Sequence, residues 1–245
     1  MKKTFFFLLM AACLQGFSQG KTIYSVSHVK PKIGMTSTFE TAWKAHVAKF
    51  HSGDDKRYVF EILSGDMTGY YSFVEGPFSL AGMDAEKPGM PAHDQDYEKT
   101  VAPTLAVETG VNFYTYIDSF SVNANVSAEK SIVTFTHVKN GRMGDYRNEL
   151  SRAKAVVDKL NWPFNSSIYQ MRNSGSSPVM VSVYNLKDGF KQLEMGYFKD
   201  VPNFRDAYIA MYGFNSWQKR LDLMDEVTVK TEVMMRKRRS DLSSK

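Results

Sequence analysis

One tripeptide occurs twice in the same setting, and that repetition constrains the fold more than any other feature of the chain. His28-Val29-Lys30 ends the alternating run Ile23-Tyr24-Ser25-Val26-Ser27, and His137-Val138-Lys139 ends Ile132-Val133-Thr134-Phe135-Thr136, 109 residues later. Each copy reads as a strand, then a helical pattern, then two further strands, so duplication of one α+β unit is the reading. In the first copy Pro31 and Gly34 break the strand, and Phe39, Trp43, Val47 and Phe50 make one helical face. Strands at about 57–63 and 69–75 flank Ser64-Gly65-Asp66, and a loop rich in Pro and Gly spans 76–92. A helix over His93–Val107, interrupted or started near Pro103, and a strand over Val111–Val122 complete the unit.

The second copy repeats the order: strand 131–139, helix 143–160, strands 166–172 and 178–185, a helical stretch Asn203–Asp225 and a closing strand Val227–Met235. Each unit is therefore β-α-β-β-α-β, the ferredoxin-like order, whose sheet leaves one face in need of cover. The expected organisation is residues 1–18 as a leader, 19–122 and 130–236 as two ferredoxin-like repeats joined by the polar linker 123–129, and a basic tail at 237–245. Two such units can cover each other as a pseudo-symmetric α/β barrel with helices outside, leaving a pocket between or beneath the sheets.

The order of elements, and the strand-ending Val29-Lys30-Pro31 followed by Gly34 and a Trp43-containing amphipathic helix, resemble the dimeric α/β-barrel superfamily in a fused, tandem form. That superfamily includes cofactor-free monooxygenases, small haem-degrading enzymes and isomerase-like proteins. The resemblance implies a cavity; it carries no catalytic residue over to this chain.

Lys2 and Lys3, an apolar run Phe5–Ala12 and the small residues Gly16 and Ser18 match a secretory leader, with a lipid-modified Cys13 as the rival reading. An exported chain, periplasmic or secreted, is expected. Cys13 is the only cysteine, so no disulfide is expected, and no transmembrane segment follows the leader. The formal charge of +5 is concentrated from Arg236 onward, which reads as a solvated tail and gives no support for a nucleic-acid partner.

His28 and His137 are the candidate catalytic residues. By alternation Tyr24, Val26, His28 and Lys30 share one strand face, and Val133, Phe135, His137 and Lys139 share the equivalent one. If that face looks into the cavity, the two imidazoles are polar groups at its wall; if it looks beneath the helices, they are structural. Tyr24, Lys30, Trp43, Phe135 and Lys139 are the candidate ligand contacts. His46 and His51 are five apart, off one helical face, and no HExxH motif or cysteine cluster exists, so no metal is expected. Asp94, Asp96 and Glu98 beside His93 read as the acidic start of a helix.

No phosphate loop, nucleophile elbow or dinucleotide fingerprint is present, so no cofactor is expected. The leading functional reading is a protein binding a small apolar or aromatic molecule, with or without cofactor-independent catalysis. A protein-interaction module and a haem-binding protein are the alternatives.

Overall fold

The structure is a computed structural model, describing residues 22–53, 55–84 and 90–245. The leader and Cys13 lie outside the described residues. No helix among the described residues is long and apolar enough to cross a membrane.

The first half contains β1 (Ile23–Pro31), α1 (Thr36–Phe50), β2 (Arg57–Ile62), β3 (Tyr71–Phe78), the short α2 (Leu80–Met83) and α3 (Met90–Asp96). A π turn (Tyr97–Val101) and a 3-10 turn (Ala102–Thr104) carry α3 into β4 (Leu105–Glu108) and β5 (Asn112–Tyr116). The second half contains β6 (Lys130–Val138), α4 (Met143–Leu160), β7 (Ser167–Met171), β8 (Val179–Leu186), α5 (Phe204–Tyr212), α6 (Ser216–Val227) and β9 (Thr228–Arg238).

Eight strands close into one antiparallel barrel in the order β1-β3-β2-β9-β6-β8-β7-β5, with β5 returning to β1. The fold is thus α+β, two ferredoxin-like repeats sharing a single sheet. The repeats join at two seams: β2 pairs with β9 (Phe60 opposite Arg238) and β5 pairs with β7 (Tyr116 opposite Tyr169). Closure removes the exposed edges that either half alone would present. β4 lies outside the ring against the end of β1, where a helix was expected to run on to Val107.

Strand alternation sorts side chains between two environments. Outward residues of β1, β2 and β3, namely Val29, Val59, Tyr71 and Phe73, pack under α1 against Phe39, Trp43 and Val47. Val138, Ile168 and Met180 do the same beneath α4 and α6 with Tyr146 and Val227. Burying each large side chain contributes about 1.5–3 kcal/mol. A third cluster, including Ile62, Tyr114, Val133, Val181, Val183 and Met234, fills the barrel interior.

Two breaks have local causes. The expected stretch Asn203–Asp225 is two helices because Gly213, at φ 96°, closes α5 in a conformation that disfavours a Cβ. Gly65, between β2 and β3, has φ +89°, and a Cβ there would lie 2.6 Å from the Val233 carbonyl oxygen of β9.

The C-terminal residues correct the expectation of a solvated basic tail at 237–245. β9 runs to Arg238, and the residues after it dock on the first half: Leu242 is 1% exposed and Ser243 Oγ accepts the Val59 amide at 2.9 Å. Arg239 pairs with Glu40, Glu61 and Asp241, so its charge is consumed inside the fold.

Candidate functional site

The barrel interior holds two adjoining chambers that share His28, Tyr114, Phe135 and Met234. The histidine chamber, about 490 Å3, is bordered by His28, His137, Thr109, Asn112, Asp66 and Glu232. The arginine chamber, about 250 Å3, is lined by Tyr24, Tyr58, Phe60, Tyr169, Val181 and Arg236, among others. Interior positions alternate along each strand, which is why Tyr24, Val26 and His28 arrive together from β1 and Met234, Arg236 and Arg238 from β9.

His28 therefore faces the cavity, and the alternative of a ring tied to a loop carbonyl does not hold. Its imidazole has no hydrogen-bond partner among the described residues, although its backbone amide donates to Thr109 Oγ1 at 2.9 Å. Burial, reinforced by the Arg236 charge, pulls its pKa down to about 4, so the ring is neutral near pH 7. His137 stands at the rim with a different partner: its Nε2 is 3.0 Å from Glu232 Oε2, and Lys230 holds the other carboxylate oxygen at 2.6 Å. Lys230 and His137 hold the Glu232 carboxyl below its usual range.

Two guanidiniums, Arg236 and Arg238, line the arginine chamber, and burial acts on Arg236. Its Nε donates to Ser131 Oγ at 3.0 Å, and its guanidinium lies over the Phe60 ring at 3.9 Å. No carboxylate among the described residues forms an ion pair with it, and burial pulls its pKa down to about 10, still cationic at neutral pH. A buried charge is expensive unless paired, and one aromatic face offsets only part of that. Around it stand phenols: Tyr24 meets Tyr169 edge-on at 5.5 Å, burial raises Tyr169 to about 12, and burial also raises Tyr114.

Of the remaining expected contacts, Tyr24 and Phe135 line the cavity. Lys30 is exposed with its Nζ 5.1 Å from the Tyr70 ring centre, and Lys139 is exposed beyond the end of β6. Trp43 lies on the other side of the sheet, stacked on Phe73 at 4.0 Å and donating to the Leu242 carbonyl, so it belongs to the outer core and touches no chamber. The acidic run also departs from expectation: α3 already begins at Met90, and Asp94 and Asp96 contact His93 and His46 within the helical path.

Arg236 and Arg238 are the interior residues that sequence reasoning missed. The signal was present, because Glu232, Met234, Arg236 and Arg238 continue the alternation of the last strand. Ending that strand at Met235 assigned the cations to solvent.

No protein-family model matches the chain, and no curated protein matches it in sequence. Solved structures do match in shape. A monooxygenase-type protein from Lactobacillus acidophilus NCFM superposes with a TM-score of 0.51 at 10% identity, over 91% of this chain and 95% of that one. An anthrone oxidase-like protein gives 0.51 at 9% identity, over 90% and 92%. Chlorite dismutase from Candidatus Nitrospira defluvii, in complex with imidazole, gives 0.50 at 6% identity, over 90% and 92%. What these likenesses establish is the fold: two ferredoxin-like halves closing one α/β barrel in a single chain.

Proposed function

We propose that the barrel binds a small aromatic or apolar molecule bearing an acidic oxygen, a carboxylate, phenol or enol, with the anion held by Arg236. The observation that carries this reading is the interior guanidinium lacking a carboxylate partner among the described residues, beside a chamber of tyrosine, phenylalanine and valine side chains. An anionic group would complete a charge-assisted pair there. Neutral His28, bordering both chambers, can accept a hydrogen bond or the proton that such a molecule gives up. The named activities of the monooxygenase-type and anthrone oxidase-like neighbours support an enzymatic form of the same reading.

Haem is a poor match for either chamber. The arginine chamber, at about 250 Å3, falls below the usual range for ligands much smaller than a tetrapyrrole. The histidine chamber is larger, but Asp66 and Glu232 border it, and they would repel the carboxylates of haem.

Calorimetric titration of the purified protein with 2-naphthoate and its neutral isostere 2-naphthamide tests the proposal. The expected result is about tenfold or greater preference for the acid, corresponding to about 1.4 kcal/mol, lost in Arg236→Met. Equal affinities, or no binding of either, would overturn it. A Soret change with hemin that disappears in His28→Ala would replace it with the haem reading.

A further inference from the structure

Outside the barrel, three histidines from two separate segments converge at the end of α1. His46 lies in the last turns of α1, His51 is the residue that caps it, and His93 comes from α3. One ring nitrogen from each lies within 4.8 Å of the others. The five-residue spacing of His46 and His51 would separate them on a continuous helix, but α1 stops at Phe50, and His51 (φ −115°, ψ 85°) departs from the helical path and returns its ring to within 5.4 Å of that of His46.

The arrangement of acceptors is the informative part. Two imidazoles hydrogen-bond a carboxylate through Nδ1, His46 to Asp96 at 2.9 Å and His93 to Asp94 at 2.8 Å, whereas His51 Nδ1 is buried without a hydrogen-bond partner among the described residues, with Asp55 3.5 Å away. With Nδ1 donating to the carboxylate, His46 and His93 each keep a lone pair on Nε2, and His51 offers one too when its proton sits on Nδ1. His51 Nε2 and His93 Nε2 are 3.3 Å apart, and His46 Nε2 is buried with no hydrogen-bond partner. Without a cation the His51–His93 contact is a hydrogen bond; with the His51 proton moved to Nδ1, the three Nε2 atoms become donors for one ion. Zinc bound at about 2.0–2.1 Å in a tetrahedron separates its ligand nitrogens by about 3.3 Å, which is the His51–His93 spacing already present. Imidazole trios whose other nitrogen is held by a carboxylate are the ligand arrangement that zinc favours.

We propose that His46, His51 and His93 bind one Zn2+ ion through their Nε2 atoms, with Asp96 and Asp94 orienting the His46 and His93 rings and water taking the fourth position. The His93 side chain is 19% exposed, so the site opens at the surface. His46 and His51 are nearly fully buried, which places the ion at the junction of α1 and α3. The sheet, with Trp43 and Phe73 stacked on its outer face, separates it from the chambers.

The test uses untagged full-length protein stripped with EDTA and titrated with ZnCl2 by calorimetry and with CoCl2 by visible absorption. One Zn2+ per chain and the intense absorption of four-coordinate cobalt are expected. Binding should weaken at least about 100-fold in His93→Ala and about 10- to 100-fold in Asp96→Asn, and remain unchanged in His137→Ala. Circular dichroism identifies variants that fail to fold, and Asp96→Asn, which keeps all three rings, serves where His93→Ala does. Absence of binding to the stripped protein, or binding retained in both variants, overturns the proposal.

Discussion

The indole Nε1 of Trp43 donates to the backbone carbonyl of Leu242 at 2.9 Å, joining the first helix to residues 199 positions further along the chain. Leu242 fills the cluster formed by Phe39, Trp43, Val59 and Tyr71. Leu242→Ala should therefore destabilise the protein by about 2–5 kcal/mol, read as a lowered urea midpoint with unchanged slope. A change below about 0.5 kcal/mol would show that the terminal residues do not support the first half.

Arg236 gives a prediction of opposite sign for stability and binding. Replacing an unpaired interior cation with an apolar side chain of similar length removes a desolvation cost, so Arg236→Met should melt at the same temperature or higher. The same variant should lose its preference for anionic aromatic ligands. A large fall in melting temperature would mean that the contacts with Phe60 and Ser131 are structural first.

His28 makes stability depend on pH. Its folded-state pKa is about 4 against an ordinary 6.5, so between those values the unfolded chain binds more protons than the folded one. Its contribution is intact above pH 6.5 and is lost as pH falls toward 4, at up to about 1.4 kcal/mol per pH unit. Denaturation at pH 7 and pH 5 should show a larger drop in wild type than in His28→Gln. Equal drops would mean that the ring is not desolvated in the folded protein.

In the second half, Glu149 is 1% exposed and receives the Tyr208 hydroxyl, at 2.9 Å from each carboxylate oxygen, together with the Arg220 guanidinium. Glu149→Ala leaves both partners facing a void between α4, α5 and α6, and should cost about 3–5 kcal/mol. Glu149→Ala combined with Arg220→Met should recover part of that loss, and a double-mutant cycle measures the recovery.

Legibility in the sequence followed the range of the interactions. Strand faces were readable because a period of two is local, and the repeated His-Val-Lys fixed the relation between the halves. Which face looked inward was not, since Val29 and His28 are both compatible with burial and only closure of the barrel separates them. The seams β2–β9 and β5–β7 join segments with no local signature. The histidine trio was hidden for a related reason: helical spacing describes His46 and His51 only while the helix continues, and His93 is brought in from α3. Arg236 was misplaced by composition, because a run of Arg236, Lys237, Arg238 and Arg239 reads as solvated even when alternate members point into a core.

Fusion has released the two halves from identity. Tyr24 pairs with Tyr114 in one repeat as Val133 pairs with Met234 in the other, which makes Tyr116 the counterpart of Arg236 and Asn112 the counterpart of Glu232. Two identical subunits would have to place a cation on both sides of the axis or on neither. This chain places Arg236 and Arg238 on one side alone, so the charge of its cavity is one-sided. The twin histidines have diverged with it: His28 is neutral beside the charge, and His137 is held by Glu232 on the same chamber.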